Sequence, residues 1–485
     1  MQCKGCVKLA VMKLTHDQCE QARLARDSRF DGRFFTAVKS TGIYCRPVCP
    51  APAPKPENVE YFDNAASAAA AGYRPCLRCR PESAPLSPAW RGSETTVERA
   101  LGLIHAGELD GPLAPFAERL GVSDRHLRRL FQRHLGVSPL NYALNHRLLF
   151  AKQLLAESPL PVMDVALACG FQSRRRFNDA FARQFRLTPS QVRRGEAGQP
   201  RGCCLTLNYR PPLDWAGIIR FLSDRALSGV EAIEGQVYRR TFRWQQGCGW
   251  FEVAPIPGKD ALALTLHCDQ PRAIRPVVQR IRQMFDLELD PMQLSRQLAQ
   301  DPLLGATFQQ GKVVRLPGIW SEFEALVRAI VGQQISVKGA RTILTRLCER
   351  FGAPSEGPQL GWLFPQPAEL AGAELSGLGL TQTRAAWIRD IALHYSQGFT
   401  AGEGDLASRV ARLKTLKGVG DWTAHYVCMR AFGESDAFVA SDLGLYHALG
   451  LEKGTPKQTL ALAETWRPWR AYGVMALWRS LGDQQ

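Results

Sequence analysis

Four cysteines in two short-spaced pairs constrain this chain more than any other feature. Cys45-Arg-Pro-Val-Cys49 and Cys76-Leu-Arg-Cys79 each set two thiols a few residues apart, with a long insert between them. Tetrahedral zinc needs four soft ligands, and short pairs let each segment supply two of them. The other ten of the fourteen cysteines are scattered, with no disulfide framework visible in their spacing. We therefore expect a reducing, cytoplasmic setting and one zinc ion on Cys45, Cys49, Cys76 and Cys79, either inert or reactive. No apolar run approaches the length of a membrane span, so no membrane partner is expected. The start, Met1 to Leu14, has no convincing secretion signal. Cys3 and Cys6 receive no role.

A single ordinary domain does not reach 485 residues, and the net charge of +16 points to a polyanionic partner, most simply nucleic acid. Composition divides the chain into four blocks. Paired cysteines end in the Pro/Ser-rich stretch 81–88. A basic block with helical patterning follows, closed by the turn-forming linker 195–202. Next come β-type segments at Cys204–Tyr209 and Ala261–His267 around a helical run from Ala216 to Leu227. The remainder is helical; Phe323, Leu326, Val327, Ile330 and Val331 recur at the spacing of a core helix.

The residues around the cysteines, Gly32 to Pro47 and Ala71 to Pro81, closely resemble the N-terminal domain of the Ada alkylation-response family. That resemblance implies a double role for Cys45, as zinc ligand and as acceptor of a methyl group from a DNA methylphosphotriester. Zinc keeps sulfur as the thiolate, and the thiolate is the nucleophile. Methylation would remove a negative charge facing the DNA backbone and strengthen binding. Arg46 and Arg74 are the candidate phosphate contacts.

Between Val97 and Pro200 the chain has 15 Lys/Arg and 9 Asp/Glu. Phe116–Phe131 and Val162–Phe181 each read as a helix, a Gly-containing turn, a Ser N-cap and a second helix with a basic outer face. The arrangement, with the terminal Phe185-Arg-Leu-Thr-Pro189, resembles the AraC-type DNA-binding domain. Tandem recognition helices of that kind enter successive major grooves. Arg125, Arg128, Arg174, Arg175 and Asn178 are the candidate DNA contacts, against the plain alternative of solvated helix faces.

Leu416-Lys-Gly-Val-Gly-Asp-Trp-Thr-Ala424 has the signature of a helix-hairpin-helix, in which Gly418 and Gly420 turn backbone N–H groups toward a phosphate. With the aspartate downstream in Asp436–Leu443, it resembles the helix-hairpin-helix glycosylases, most closely the AlkA type, from Cys204 to the C-terminus. The resemblance makes Asp442 the catalytic carboxylate; an N-capping Asp is the alternative. It also makes Phe221, Trp422, Tyr426 and Trp478 the walls of an aromatic pocket for a flipped, cationic purine. Lyase-active relatives carry Lys where this chain has Trp422, so a monofunctional enzyme is expected. Only Cys428 follows residue 400, so no iron–sulfur cluster is expected. Gln334 stands where some relatives place a Leu that fills the gap left by the flipped base. No Pro-Cys-His-Arg motif occurs, which argues against O6-methylguanine reversal.

The expected architecture is multidomain: a small α+β zinc domain (14–85), an all-α tandem helix-turn-helix domain (94–195), an α+β AlkA-type subdomain (203–285) and a mostly α helix-hairpin-helix glycosylase domain (286–485). The expected function is alkylation repair and response, with excision of bases such as 3-methyladenine joined to a zinc-thiolate sensor and transcriptional regulator. The alternative is a regulator whose C-terminal domain binds DNA without excising bases. Expected partners are double-stranded DNA, both damaged and promoter, and RNA polymerase.

Overall fold

Strand pairing explains how the two cysteine pairs meet. β1 (Phe35–Val38) and β3 (Val59–Phe62) pair antiparallel, as do β1 and β2 (Ile43–Cys45); β2 then pairs in parallel with the short β4 (Arg74–Pro75). The register Ile43↔Arg74 and Tyr44↔Pro75 brings Cys45 and Cys76 to the same end of neighbouring strands. The Cys76 N–H donates to the Tyr44 carbonyl at 2.9 Å and fixes the second pair there. All four β1 residues are buried, so this central strand carries the small core. The helix His16–Leu24, opened by a Thr15/Gln18 capping box, is tied to β3 by Arg23, whose Nε donates to the Tyr61 hydroxyl at 3.1 Å.

The structure is a computed structural model that describes residues 14–27, 30, 34–62, 68, 71, 73–76, 78–79, 92–193, 202–245, 247–309, 313–402, 404–451 and 455–482. The Pro/Ser-rich stretch 81–88, linker residues 195–201, Cys3, Cys6 and the Arg74 side chain lie outside the described residues. The chain forms two compact units, one of residues 1–102 with 114–139 and one of residues 103–113 with 140–485. Among the described residues, no helix is long and apolar enough to cross a membrane.

In the larger unit a five-stranded antiparallel sheet runs in the order β5 (Cys203–Asn208), β9 (Ala261–Cys268), β8 (Gly247–Pro255), β7 (Val237–Trp244), β6 (Glu231–Glu234). The two strands and the helix (here Trp215–Ser223) expected from the sequence are present. β6, β7 and β8 are additional. β7 escaped the pattern because Arg240 stands at a buried position, where an apolar residue would have marked the strand.

The rest is helical. In Glu322–Gly332 the apolar positions are buried, as is Glu324, and Ser321 caps the start. The helices Leu406–Leu413 and Asp421–Phe432 flank the hairpin turn. Beyond them the short helix Leu443–Ala448 packs on Arg470–Gly482. These elements set one aspartate, three aromatic rings and a loop around a common space.

Candidate active site

Asp442 is the N-cap of Leu443–Ala448: its Oδ1 accepts the Leu445 N–H at 2.9 Å. The capping alternative is thus realised, and it does not exhaust the carboxylate. Trp478 Nε1 donates to Oδ1 at 2.8 Å, and Trp422 Nε1 donates to Oδ2 at 2.9 Å. Both oxygens are held by indole N–H groups, donors that accept nothing in return, so the arrangement suits an ionised carboxylate.

The same rings line a cavity of about 840 Å³ together with Phe221, Tyr426 and Asp442. Trp422 stacks on Tyr426 with centroids 5.1 Å apart and planes 11° from parallel; Trp478 lies 6.4 Å from Tyr426. The sequence therefore brings all four aromatic candidates to one wall with the aspartate.

Two arginines in this wall were not legible as site residues. Arg430, four residues after Tyr426, stands 4.8 Å from the Phe221 ring centre and 5.6 Å from that of Tyr426. Arg225, four after Phe221, stands 3.9 Å from the same Phe221 ring. Burial pushes both guanidinium pKa values down, Arg430 to about 10. The i, i+4 spacing from each aromatic was the available signal.

Behind them lies a buried quartet. Arg240 meets Glu231 at 3.0 Å and also pairs with Glu324, while Arg328 meets Glu324 at 2.7 Å and Glu231 at 2.5 Å. Burial pushes the Glu231 carboxyl up, but Arg328 and Arg240 outweigh it and hold the pKa at about 2. The quartet joins the sheet, through β6 and β7, to the core helix Glu322–Gly332 at the floor of the cavity.

In the hairpin only one glycine is conformationally required. Gly418 has φ +79°, and a Cβ there would lie 2.5 Å from the Trp387 ring. Gly420 has φ −93°, open to any residue, and an added Cβ would meet nothing within 4 Å. The turn is braced by Gln333, whose Nε2 donates to the Gly418 carbonyl at 3.0 Å and to Thr423 Oγ1 at 3.2 Å. Its neighbour Gln334 is exposed, with φ +55°, in the loop between Gly332 and Ile335, both of which line the cavity.

The Sγ atoms of Cys45, Cys49, Cys76 and Cys79 all lie within 4.8 Å of one another. Tetrahedral zinc with bonds of about 2.3 Å needs sulfurs about 3.8 Å apart, so the donor set fits after a small contraction. Cys79, accepting from the Cys45 thiol, is held down at about 6, whereas donation to Cys79 pushes Cys45 up and burial pushes Cys49 up to about 11. Cys45 is half-buried and the other three are buried. The Arg46 N–H donates to Cys79 Sγ at 3.4 Å, and its guanidinium donates to the Cys79 carbonyl at 3.1 Å.

In the basic block, Ser123 and Ser173 cap Asp124–Leu135 and Arg174–Phe185 by accepting N–H groups three residues on, both at 3.2 Å. Arg125, Arg128, Arg174 and Arg175 are exposed, as is Arg176, which sequence reasoning passed over. Asn178 differs: it is half-buried, with Oδ1 enclosed and unpaired.

Four family models match successive stretches of the chain. Residues 18–82 match the metal binding domain of Ada, 116–195 a helix-turn-helix domain, 204–321 the AlkA N-terminal domain, and 327–471 the HhH-GPD superfamily of base excision DNA repair proteins. The chain is 35% identical over 480 residues to a Mycobacterium tuberculosis protein named "Probable bifunctional transcriptional activator/DNA repair enzyme AlkA", with 96% of each covered. It is 32% identical to the DNA-3-methyladenine glycosylase 2 of Escherichia coli, over 58% of this chain and 98% of that one. Among solved structures, the 3-methyladenine DNA-glycosylase of Archaeoglobus fulgidus aligns with a TM-score of 0.51 at 22% identity, covering 57% of this chain and 98% of its own.

Proposed function

Since the chain belongs to the family of bifunctional transcriptional activator/DNA repair enzymes of AlkA type, we propose that it treats alkylated DNA by two separate chemistries, base excision at Asp442 and methyl capture at Cys45. Glycosylase, zinc-type sensor and helix-turn-helix regulator are the activities its domains represent. The observation that carries the finer reading is the clamp on Asp442 by two indoles of its own cavity wall.

For a purine alkylated at N3 or N7, such as 3-methyladenine, the base already carries positive charge and leaves with the electron pair of the C1′–N bond. The sugar becomes cationic, and Asp442, fixed before the reaction, stabilises that charge. Water then forms the new bond to C1′ and gives up a proton. Trp422 and Tyr426 offer stacked faces to the flipped base. Trp422 stands where lyase relatives carry Lys, so no Schiff base forms and the enzyme is monofunctional.

In the other centre, Cys45, Cys49, Cys76 and Cys79 would hold one zinc ion. Zinc, when bound, supplies the positive charge that keeps these sulfurs as thiolates at neutral pH. Cys45, the ligand left half-buried, attacks the methyl carbon of a methylphosphotriester: an S–C bond forms, a C–O bond breaks, and the phosphate leaves as an ordinary anionic diester. Arg46 and Arg74, the exposed arginines of the two recognition helices and the Gly418 turn contact phosphates, and Gln334 enters the duplex beside the flipped base. As an activator, the protein also meets RNA polymerase at promoters.

One experiment separates the two chemistries. Full-length protein is incubated with DNA carrying labelled methyl groups, and released bases are separated from protein-bound label. We expect Asp442→Asn to lose base release while still becoming labelled, and Cys45→Ser to do the opposite. Release of 3-methyladenine at the wild-type rate by the Asp442→Asn protein would defeat the excision mechanism.

A further inference from the structure

The second half of the helix-turn-helix block does not hang from a linker. Leu148, Ala151, Leu155 and Val165 of that half share one continuous buried cluster with Leu205 and Leu207 of the glycosylase sheet. The helix Val162–Ala168 packs on the turn Pro271–Ala273. Polar groups close the same seam. Thr206, on the edge strand β5, donates its N–H to Glu157 Oε2 at 2.7 Å, and its carbonyl accepts from Gln153 Nε2 at 2.9 Å. The buried Arg275 guanidinium sends one nitrogen to both oxygens of Asp110 at 2.9 Å, and Arg147 stands 3.7 Å from the same carboxylate. Loosely tethered domains meet through small polar interfaces and move freely. Here a common apolar core and a capped strand edge hold the two parts together.

This docking fixes the basic helix Arg174–Phe185, with Arg174, Arg175 and Arg176 exposed, relative to the excision cavity. We infer that this helix serves the glycosylase as a second DNA anchor, gripping the flank of the duplex that carries the damaged base. The partner is double-stranded DNA read through its phosphates. A second contact held on the same rigid body is intramolecular once the first has formed, and it raises affinity without any new chemistry at Asp442. The inference rests on the excision activity proposed above.

The test compares two duplexes, each carrying one 7-methylguanine: one of about one helical turn (about 10 bp) and one of about four turns (about 40 bp). Full-length zinc-loaded wild type is set against R174A/R175A/R176A, whose altered side chains are exposed. On the long duplex we expect KM to rise about tenfold in the variant with kcat unchanged, and the salt dependence of binding to become shallower. On the short duplex the two proteins should agree. Equal KM values on the long duplex would overturn the anchor, whereas failure of wild type to release base from either duplex would instead sink the excision reading. A second variant, Q153A/E157Q, loosens the seam without touching the basic face. It should raise the long-duplex KM several-fold while hydrogen exchange at the Thr206 amide accelerates. Faster exchange with an unchanged KM would show that rigid docking is not needed, and would overturn the inference.

Discussion

Trp478 donates its indole N–H, at 2.8 Å, to the oxygen of Asp442 that already caps Leu445. Trp422 takes the other oxygen. The carboxylate is therefore oriented by rings that line its own cavity.

Replacing either indole by phenylalanine keeps an aromatic face and removes one donor to a charged group. A hydrogen bond of that kind is worth about 1.5–3 kcal/mol. Trp422→Phe and Trp478→Phe should each slow single-turnover excision about 10- to 100-fold, with the concentration dependence of the rate changed much less. Loss of binding alone, with the limiting rate intact, would mean that the indoles serve only as stacking surfaces.

The two hairpin glycines should respond differently. Gly418→Ala puts a Cβ against Trp387 in a left-handed backbone, a strain of about 1–3 kcal/mol before any clash is counted. Its melting temperature and DNA affinity should both fall. Gly420→Ala should remain near wild type in both, as calorimetry and binding titrations can check.

Removing one charge from the quartet leaves its opposite number buried and uncompensated. Glu324→Gln takes a full charge from both Arg240 and Arg328, and the expected loss is about 3–5 kcal/mol. Denaturant unfolding followed by tryptophan fluorescence would measure it. A loss below about 1 kcal/mol, the range of surface pairs, would show that water reaches the quartet.

Asp286 gives a pH signature. Burial pushes its carboxyl up to about 6 against the pull of the Leu316 N–H at 3.2 Å, whereas an unfolded aspartate titrates near ~3.9. The folded state binds the proton more tightly, so this contribution is complete below ~4 and is lost as pH rises through about 6. Wild type should lose about 2–3 kcal/mol over that window relative to Asp286→Asn. Parallel stability curves for the two proteins would contradict the assignment.

Much of this was legible because short motifs carry fixed geometry. The spacing of Cys45, Cys49, Cys76 and Cys79 anticipated their convergence, and the resemblance to the AlkA-type glycosylases implied that Asp442 would share a cavity with Trp422, Tyr426 and Trp478. Other features depend on partners distant in sequence. Arg240 hides β7 because its two carboxylates come from another strand and from a helix 84 residues away. Arg225 and Arg430 drew no reading from the sequence, because their place beside Phe221 and Tyr426 emerges only in the fold. Asn178 read as a DNA contact on a basic helix, yet its oxygen is enclosed. The seam at Thr206 left no mark, because Gln153 and Glu157 are typical residues of an exposed helix face.

That seam bears on where the chain can be divided. A fragment beginning at Cys203 would keep the whole glycosylase region, yet it would leave the Thr206 N–H and carbonyl without their cover. Beside them stand Leu205 and Leu207, which belong to the apolar cluster that continues into the helix-turn-helix half. An open strand edge flanked by apolar side chains is a template for pairing with another copy. Such a fragment should self-associate, and an added charge or proline on β5 should restore its solubility.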